Sequence, residues 1–511
     1  MLRSLIIILA AAVLTAAAAP KPASVFGNGM VLQQGMAVPV WGSAEPGERI
    51  TVSVAGRSAS AVTGEDGRWR VSLAPLTAGG PYEMTVSGRS DVIFSDVMAG
   101  EVWICSGQSN MTFALRNTVN AAEEIASAEY PLLRLFTVRR VLSDTLRGDV
   151  EGRWERCTPG TVEDFSAVAY FFGRRLADSL GVPVGLVHVS WGGTAAEGWM
   201  PRSVLLSDPD FRPIIDRWTS DSVAFPAAMK AFTDSLPALS ARWSADSAAA
   251  VSLGRALPRK PTAPRGPGHR DTPCGQYNGM LHPLIPFAMR GVIWYQGEGN
   301  AARAHQYRRL FPTLITTWRS LWGQGDFPFY YVQLPNLDRQ PEPSRSGWAE
   351  LREAQLMALS LPNTGMAVTI DVGDPKDLHP REKRPVAERL ARIALAKTYG
   401  RPVPYSGPLY RTFERNGKSI TVRFDHGGGL RANGTAALTG FTVAGDDRKF
   451  VPANAVIRDG AVIVSHPSVP APAAVRYAWA DAPACNLTNA TGLPASPFRT
   501  DDWEEVTHDR K

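Results

Sequence analysis

The chain has 511 residues, of which 44% are hydrophobic and 20% are charged. That balance is typical of globular proteins and excludes disordered, collagen-like and low-complexity chains. Lys and Arg number 54 against 48 Asp and Glu, and this formal charge of +6, without any basic stripe, argues against nucleic-acid binding. At roughly 150 residues per domain, the length predicts about three domains.

Residues 1–19 have the pattern of a secretory signal peptide. Arg3 supplies a positive charge, Leu5–Leu14 is an apolar run, and the small residues Ala16–Ala19 precede Pro20. A membrane anchor is the alternative, but the apolar run is shorter than the ~20 residues that a membrane span needs. The sequence therefore predicts export to the periplasm or the medium, with no stable membrane insertion after cleavage.

Residues 20–97 carry an all-β pattern. Short apolar alternations, such as Ile50–Val54 and Trp69–Leu73, are separated by turns rich in Gly, Pro and Asp. This spacing predicts a small N-terminal β-sandwich domain.

Residues 98–402 alternate between strand and helix patterns, which predicts a mostly parallel sheet covered on both faces. The pattern breaks down over about 202–272, where we expect an insertion, and β-type alternation returns over 403–511 as a C-terminal β domain. A helix ending at Gly181 is one of the predicted helices. The predicted strands are Val102–Ser106, Val184–Ser190, Gly291–Gln296, Phe329–Leu334 and Met366–Asp371. Ligands of such sheets bind beyond the carboxyl ends of the strands.

Polar or glycine-containing segments follow four of these strands. After the first, Gly107 leads to Ser109, which can be an exposed nucleophile or merely the cap of a helix. After the second, Gly192 and Gly193 can leave backbone N–H groups free to hold an oxyanion, or can form an ordinary turn.

The third segment contains Gln296, Glu298 and Asn300 between glycines. Gln296 or Asn300 can donate to an oxyanion, and Glu298 can orient a histidine or bind sugar hydroxyls, although a simple polar loop is the alternative. In the fourth segment Asp377 precedes His379 by two residues. In an extended loop this aspartate can fix the tautomer of the imidazole; the alternative is that both are ordinary polar residues on the surface.

No closely spaced His and Cys cluster occurs, so the sequence predicts no structural zinc; that no metal or organic cofactor is needed is implied only by the family resemblance described next.

Together these segments resemble the sialate O-acetylesterase family, carbohydrate esterases of the SGNH/GDSL hydrolase superfamily. The resemblance runs along nearly the whole mature chain. Its motifs are Gly27-Asn28-Gly29-Met30-Val31-Leu32-Gln33-Gln34, Gly107-Gln108-Ser109-Asn110, Tyr277-Asn278-Gly279-Met280, Trp294-Tyr295-Gln296-Gly297-Glu298, Leu351-Arg352-Glu353-Ala354-Gln355 and the closing GLPASPF segment.

The resemblance implies a three-layer α/β/α, flavodoxin-like sheet with flanking β domains. It implies Ser109 as nucleophile and His379 as general base. The superfamily places an acid three residues before that histidine, where this chain has Lys376, so Asp377 and Glu298 remain alternatives for the third member, as does a backbone carbonyl.

For the oxyanion hole the resemblance implies the N–H groups of Ser109 and of Gly193, or of Gly192, together with the side chain of Gln296. Gly299 departs from the serine that is common in the family.

The implied function is a secreted serine esterase that removes O-acetyl groups from sugars, most of all sialic acids. Acetylxylan or another polysaccharide is an alternative substrate, and a carbohydrate-binding protein without catalysis is an alternative of another class. Sialic acid carries a carboxylate, for which Arg116, Arg303 and Arg352 are candidate partners. The only partner expected is the O-acetylated carbohydrate, and the sequence leaves the oligomeric state open.

Overall fold

A computed structural model describes residues 19–338, 346–434 and 437–511. The predicted signal peptide, apart from Ala19, lies outside the described residues. Within those ranges no helix combines the length and the apolar character needed to cross a membrane.

The N-terminal part is built of β-strands, as the sequence predicts. In strand β4, Ile50, Val52 and Val54 are buried while their neighbours face outward, which is the alternation that favours a half-buried strand. The eight strands are β1 Lys21–Pro22, β2 Val31–Gln33, β3 Val38–Ser43, β4 Arg49–Val54, β5 Arg57–Val62, β6 Arg68–Leu73, β7 Gly79–Ser87 and β8 Asp91–Gly107.

Strand β8 connects this part to the rest of the molecule. It is 17 residues long, and its first half pairs with β7. Its second half lies in the central sheet between β11 (Val184–Ser190) and β12 (Gly291–Tyr295). The N-terminal limit drawn between residues 97 and 98 therefore falls inside a continuous strand.

The central sheet has the strand order β10-β9-β11-β8-β12-β13-β14. All its pairings are parallel except that of the edge strand β10 with β9. The elements are α1 Ser109–Thr112, α2 Ala121–Ala126, β9 Tyr130–Thr137, β10 Trp154–Cys157, α3 Pro159–Val162, α4 Ala167–Leu180, β11 Val184–Ser190, β12 Gly291–Tyr295, α7 Ala304–Trp322, β13 Phe329–Val332, α8 Gly347–Met357, β14 Thr364–Ala367 and α9 Arg384–Lys397.

Helices pack against both faces of this sheet. Successive residues of β8 point to opposite sides, so Trp103 and Cys105 share a buried core with α4 and α9. Val102 and Ile104 join the core that contains α7 and α8. The mixed α/β class predicted from the sequence is confirmed.

Most predicted elements match the structure closely. Helix α4 ends at Gly181, whose φ of +66° is the left-handed conformation that suits glycine. The bounds of the strand predicted over Met366–Asp371 are wrong, because β14 begins and ends earlier, at Thr364–Ala367. Strand β9 was not expected, since Arg134 interrupts its apolar run; the guanidinium is buried and pairs with Asp96.

The insertion consists of α5 Arg202–Ser207, the long helix α6 Arg212–Ser252 and a returning loop over 253–272. Only Ile214 and Ile215 of α6 are buried, so most of this 41-residue helix stands clear of the core.

The C-terminal part is again built of strands. Buried Arg352 of α8 anchors it, because its guanidinium donates to the backbone oxygens of Leu334, Pro335, Ala480 and Asp481. Its strands are β15 Leu409–Asn416, β16 Ser419–Asp425, β17 Arg431–Ala432, β18 Phe441–Ala444, β19 Val451–Pro452, β20 Asn454–Arg458, β21 Ala461–Ser465, β22 Ala474–Tyr477, β23 Leu487–Thr488 and β24 Phe498–Arg499.

Candidate active site

The carboxyl ends of three neighbouring strands bring the first three polar segments to one edge of the sheet. Strand β8 lies between β11 and β12, and Gly107 at its end pairs with Ser190 and with Tyr295. The chain leaves these strands toward Ser109, Gly192 and Glu298. Parallel strands thus gather segments that are far apart in sequence.

Ser109 is the first residue of α1 and is half-buried. Gly107 has φ +137°, and a Cβ there would lie 2.1 Å from the Tyr295 carbonyl oxygen, so the turn before Ser109 requires glycine. Gly192 lies directly against the serine: a Cβ on it would be 3.3 Å from Ser109 Cβ. In the described part of the chain the N–H groups of Gly192 and Gly193 donate to no protein atom.

The two neighbours of Ser109 tie its turn to the third segment. Gln108 Oε1 accepts hydrogen bonds from the N–H groups of Gly297 and Gly299, at 3.3 and 3.1 Å. Asn110 Nδ2 donates to Glu298 Oε1 at 2.6 Å and to the Leu378 carbonyl oxygen at 3.0 Å. Asn110 is fully buried, so it links the loops that carry Glu298 and His379 beneath the nucleophile.

His379 lies in the loop between β14 and α9, against helix α1. Its ring stacks on Phe113 with centroids 6.4 Å apart, and Asp377 Oδ1 accepts its backbone N–H at 2.8 Å. His379 Nε2 is buried and has no hydrogen-bond partner among the described residues, which is an uncommon state for a buried nitrogen. Burial and the charge of Lys383 lower the pKa of His379, and Asp377 acts in the opposite direction.

Lys383, four residues after His379, is buried in the same place. Its Nζ donates to Asn110 Oδ1 at 2.6 Å and lies 4.6 Å from the centre of the Phe113 ring. Burial lowers the pKa of Lys383 to about 7, against the raising effects of Glu298 and Asp377. This lysine was not among the predicted site residues, because nothing in the sequence around it distinguishes it from the exposed Lys376.

Gln296 and Asn300 are held inside the fold. Gln296 Nε2 donates to the Thr194 carbonyl oxygen and to Asn300 Oδ1, and its Oε1 accepts from Tyr307. Asn300 Nδ2 donates to Glu197, and its Oδ1 also accepts the N–H of Ala196. Both amide hydrogens of Gln296 are thus engaged in bonds that brace the loop after Gly193.

The three arginines singled out from the sequence have partners within the protein, and one of them, Arg303, lines a cavity beside the candidate oxyanion site. Arg116 pairs with Asp164 on the surface, Arg303 pairs with Glu197, and Arg352 is the buried anchor described above.

A different arginine, Arg270 of the insertion, lies beside the candidate oxyanion site. A Cβ on Gly193 would be 2.7 Å from its Nε. Within the described ranges its guanidinium makes no hydrogen bond or ion pair. Arg270 lines a cavity of about 280 Å³ together with Gly193, Gly299, Arg217 and Arg265, the last of which pairs with Asp271.

Comparisons with known proteins show which proteins this chain resembles. A family model described as "Carbohydrate esterase, sialic acid-specific acetylesterase" matches residues 276–396, which include Glu298 and His379. The rat sialate O-acetylesterase is 30% identical over 95% of this chain and 94% of its own length, and the human one is 29% identical over 93% and 91%. A crystal structure of a novel carbohydrate acetylesterase from Xanthomonas citri is 36% identical, with a TM-score of 0.80, over 95% of this chain and 100% of that chain.

These similarities define the chain as a carboxylic ester hydrolase. It belongs to the sialate O-acetylesterase family, as its sequence motifs indicate.

Proposed function

We propose that the protein is an exported serine esterase that removes O-acetyl groups from sugars by acyl transfer through Ser109 and His379. The observation that carries the proposal is the contact between the two segments: His379 stacks on Phe113, which directly follows the helix that Ser109 begins, and Asn110 Nδ2 donates to the carbonyl oxygen of Leu378. The unpartnered, buried Nε2 of His379 is available to accept the serine proton.

In the proposed reaction His379 Nε2 removes the Ser109 hydroxyl proton while Oγ attacks the acetyl carbonyl carbon. The tetrahedral intermediate collapses, the C–O bond to the sugar breaks, and His379 returns the proton to the departing sugar oxygen. Water, activated by the same imidazole, then attacks the acetyl-serine, and acetate leaves as Ser109 regains its proton. The lowered pKa of His379 keeps the imidazole neutral, as a base must be, near neutral pH.

The oxyanion hole that we propose uses backbone donors. The N–H of Ser109 opens α1, where the first N–H groups of a helix have no partner inside the helix. The N–H group of Gly192, which lies against Ser109, and that of the next residue, Gly193, supply the others. We leave Gln296 and Asn300 out of this set, because their amide hydrogens already serve the loop that carries the glycines.

Two carboxylates position the base in this proposal, each by a different route. Asp377 holds the backbone N–H of His379 and its charge favours the imidazolium that forms during the reaction. Glu298 acts through Asn110, which reaches the neighbouring carbonyl oxygen of Leu378.

We propose O-acetylated sialic acid as the preferred substrate because of Arg270. Its guanidinium is beside Gly193 and is the sort of donor that holds a carboxylate. A sugar whose ester lies at Ser109 can extend its carboxylate into the 280 Å³ cavity that Arg270 lines.

A second candidate, an acetylated neutral polysaccharide, is favoured by a larger cavity of about 1230 Å³ on the other side of Trp218 and Pro273. Trp218 is half-buried and lines both cavities, so its indole can stack on sugar units of a longer chain.

For the whole chain we propose export directed by residues 1–19, an SGNH-type three-layer esterase fold over 98–402 with its insertion at about 202–272, and β domains over 20–97 and 403–511. Ser109 lies at the carboxyl edge of a parallel sheet with helices on both faces, which is the arrangement that this proposal requires.

Two measurements test the proposed function. A fluorophosphonate probe should label the full chain once, at Ser109, as located by mass spectrometry of its peptides; labelling of another residue would contradict the nucleophile. Acetate release from O-acetylated sialic acids, acetylxylan and acetylated neutral monosaccharides should be fastest with the sialic acids. Faster release from acetylxylan would favour the polysaccharide.

A further inference from the structure

Beneath the proposed nucleophile, Lys383 makes contacts that the acyl-transfer scheme does not use. A lysine is rarely buried to this degree, and burying an ammonium costs free energy unless polar groups compensate. Its Nζ has one hydrogen-bond acceptor, Asn110 Oδ1, and lies over the faces of the Phe113 and Tyr295 rings. Burial lowers the pKa of Lys383, and the charges of Glu298 and Asp377 act in the opposite direction.

Lys383 contacts Asn110, Phe113 and Tyr295, which surround the proposed reaction centre. Asn110 follows Ser109 directly, and its other amide atom holds both Glu298 and the carbonyl oxygen next to His379. The Phe113 ring contacts both groups: the ammonium group lies over it, and the imidazole stacks on it. Lys383 also precedes α9, so the packing of that helix fixes its backbone.

We infer that Lys383 is a positioning residue of the esterase: its hydrogen bond to Asn110 locks the serine turn to the histidine loop, and its ammonium group lies over the Phe113 ring on which the imidazole stacks. The inference rests on the proposed function, since it concerns the same serine and histidine.

The charges around the imidazole give the expected sign. Lys383 opposes protonation of His379 and Asp377 favours it; Glu298, on the loop after β12, acts on Lys383 rather than on the ring. As the pH falls, the lysine takes up its proton first, with a pKa of about 7, and then opposes the proton that would inactivate His379. Removing the charge should therefore raise the pKa of His379 and move the acid limb of activity to higher pH.

The test is the pH dependence of kcat/KM with p-nitrophenyl acetate for the full chain and for three variants. Lys383→Met, which keeps much of the shape, should move the midpoint of the acid limb upward by about 0.5 to 1 pH unit. It should also lower kcat, because Asn110 loses its donor. Lys383→Arg should keep the wild-type midpoint even if its larger head lowers kcat.

Lys376→Met is the matched control. Lys376 is on the same loop but exposed, so solvent screens its charge and its removal should leave the midpoint in place. Equal midpoints in wild type and Lys383→Met would overturn the inference, as would equal shifts in Lys383→Met and Lys376→Met.

NMR titration of the His379 ring provides a readout that does not depend on turnover. Burial lowers the pKa of His379 in every variant, so the imidazole of Lys383→Met should titrate at higher pH than that of the wild-type chain, and that of Lys383→Arg should titrate as in the wild type; equal titration in Lys383→Met and wild type would overturn the inference. If Ser109→Ala retained esterase activity, the proposed function would fail, yet the titration would still show whether Lys383 controls His379.

Discussion

The turn after β12 and the loop after β14 look alike in sequence but differ in how their polar groups are used. Each follows a buried strand and carries an acid with a possible catalytic partner, Gln296 and Glu298 in one and Asp377 and His379 in the other. In the turn, the amide of Gln296 is fully hydrogen-bonded within the protein. In the loop, Nε2 of His379 has no partner among the described residues.

The difference separates scaffold from reactive groups. A side chain whose donors and acceptors are all satisfied by the fold stabilises the site, and redirecting it to a substrate would leave other buried groups unpaired. A buried nitrogen without a partner retains its capacity for the substrate or the nucleophile. The predictions below test this distinction, from the largest expected effect to the smallest.

Ser109→Ala should lower kcat for p-nitrophenyl acetate by about 10⁴-fold or more, since it removes the proposed nucleophile. The matched control is Ser106→Ala at the end of β8, three residues before Ser109, where the buried hydroxyl donates to the Val189 carbonyl oxygen at 2.7 Å. That variant should lose about 1 kcal/mol of unfolding free energy and keep most of its activity. Near-normal turnover by Ser109→Ala with an unchanged Tm would refute the assignment.

Glu298→Gln and Asp377→Asn should each lower kcat by about 10- to 100-fold, because each removes the negative charge that strengthens one hydrogen bond positioning the histidine loop. Kinetics at a fixed pH above the acid limb would measure both losses. If both variants kept full activity, neither carboxylate would position the base, and a backbone carbonyl would be the remaining alternative.

Arg270→Ala should lower kcat/KM for an O-acetylated sialic acid about 10-fold more than for p-nitrophenyl acetate, since only the first ligand offers a carboxylate. Arg265→Ala serves as the control, because that side chain lines the same cavity but is paired with Asp271. An equal loss with both ligands would show that Arg270 supports the loop and does not recognise the carboxylate.

Gln296→Ala should change kcat by less than about 10-fold and instead lower the free energy of unfolding by about 2–3 kcal/mol, because it leaves buried partners unsatisfied. Thermal unfolding and kinetics on the same preparation would separate the two effects. A loss of about 10² to 10³ in kcat with an unchanged Tm would restore Gln296 to the oxyanion hole.

Much of this site could be predicted from the sequence, because local patterns determined it. Apolar runs ending in glycine placed Ser109, Gly192 and Gly193 at strand ends, and the parallel sheet then brought them together. His379 could be singled out for the same reason, although β14 ends earlier than the apolar run indicated.

What the sequence could not predict depends on tertiary contacts. Lys383 and Lys376 are equally plain in sequence, and only the packing of α1 and α9 buries one of them. Arg270 belongs to an irregular insertion whose return path is set by the fold, and Arg352 became an anchor because the C-terminal strands cover it. The hydrogen bonds of Gln296 could not be predicted either, because they depend on where Thr194, Asn300 and Tyr307 lie in the fold.

The path of β8 has a practical consequence for anyone who wishes to trim or recombine this protein. The same 17-residue strand starts in the N-terminal sheet and delivers the chain to Ser109, and β2 pairs with it at Met98–Gly100. A chain that began at residue 98 would lack β2, so the backbone groups of Met98–Gly100 that pair with β2 would lose their partners. The N-terminal β part should therefore be kept together with the esterase part in any chimera.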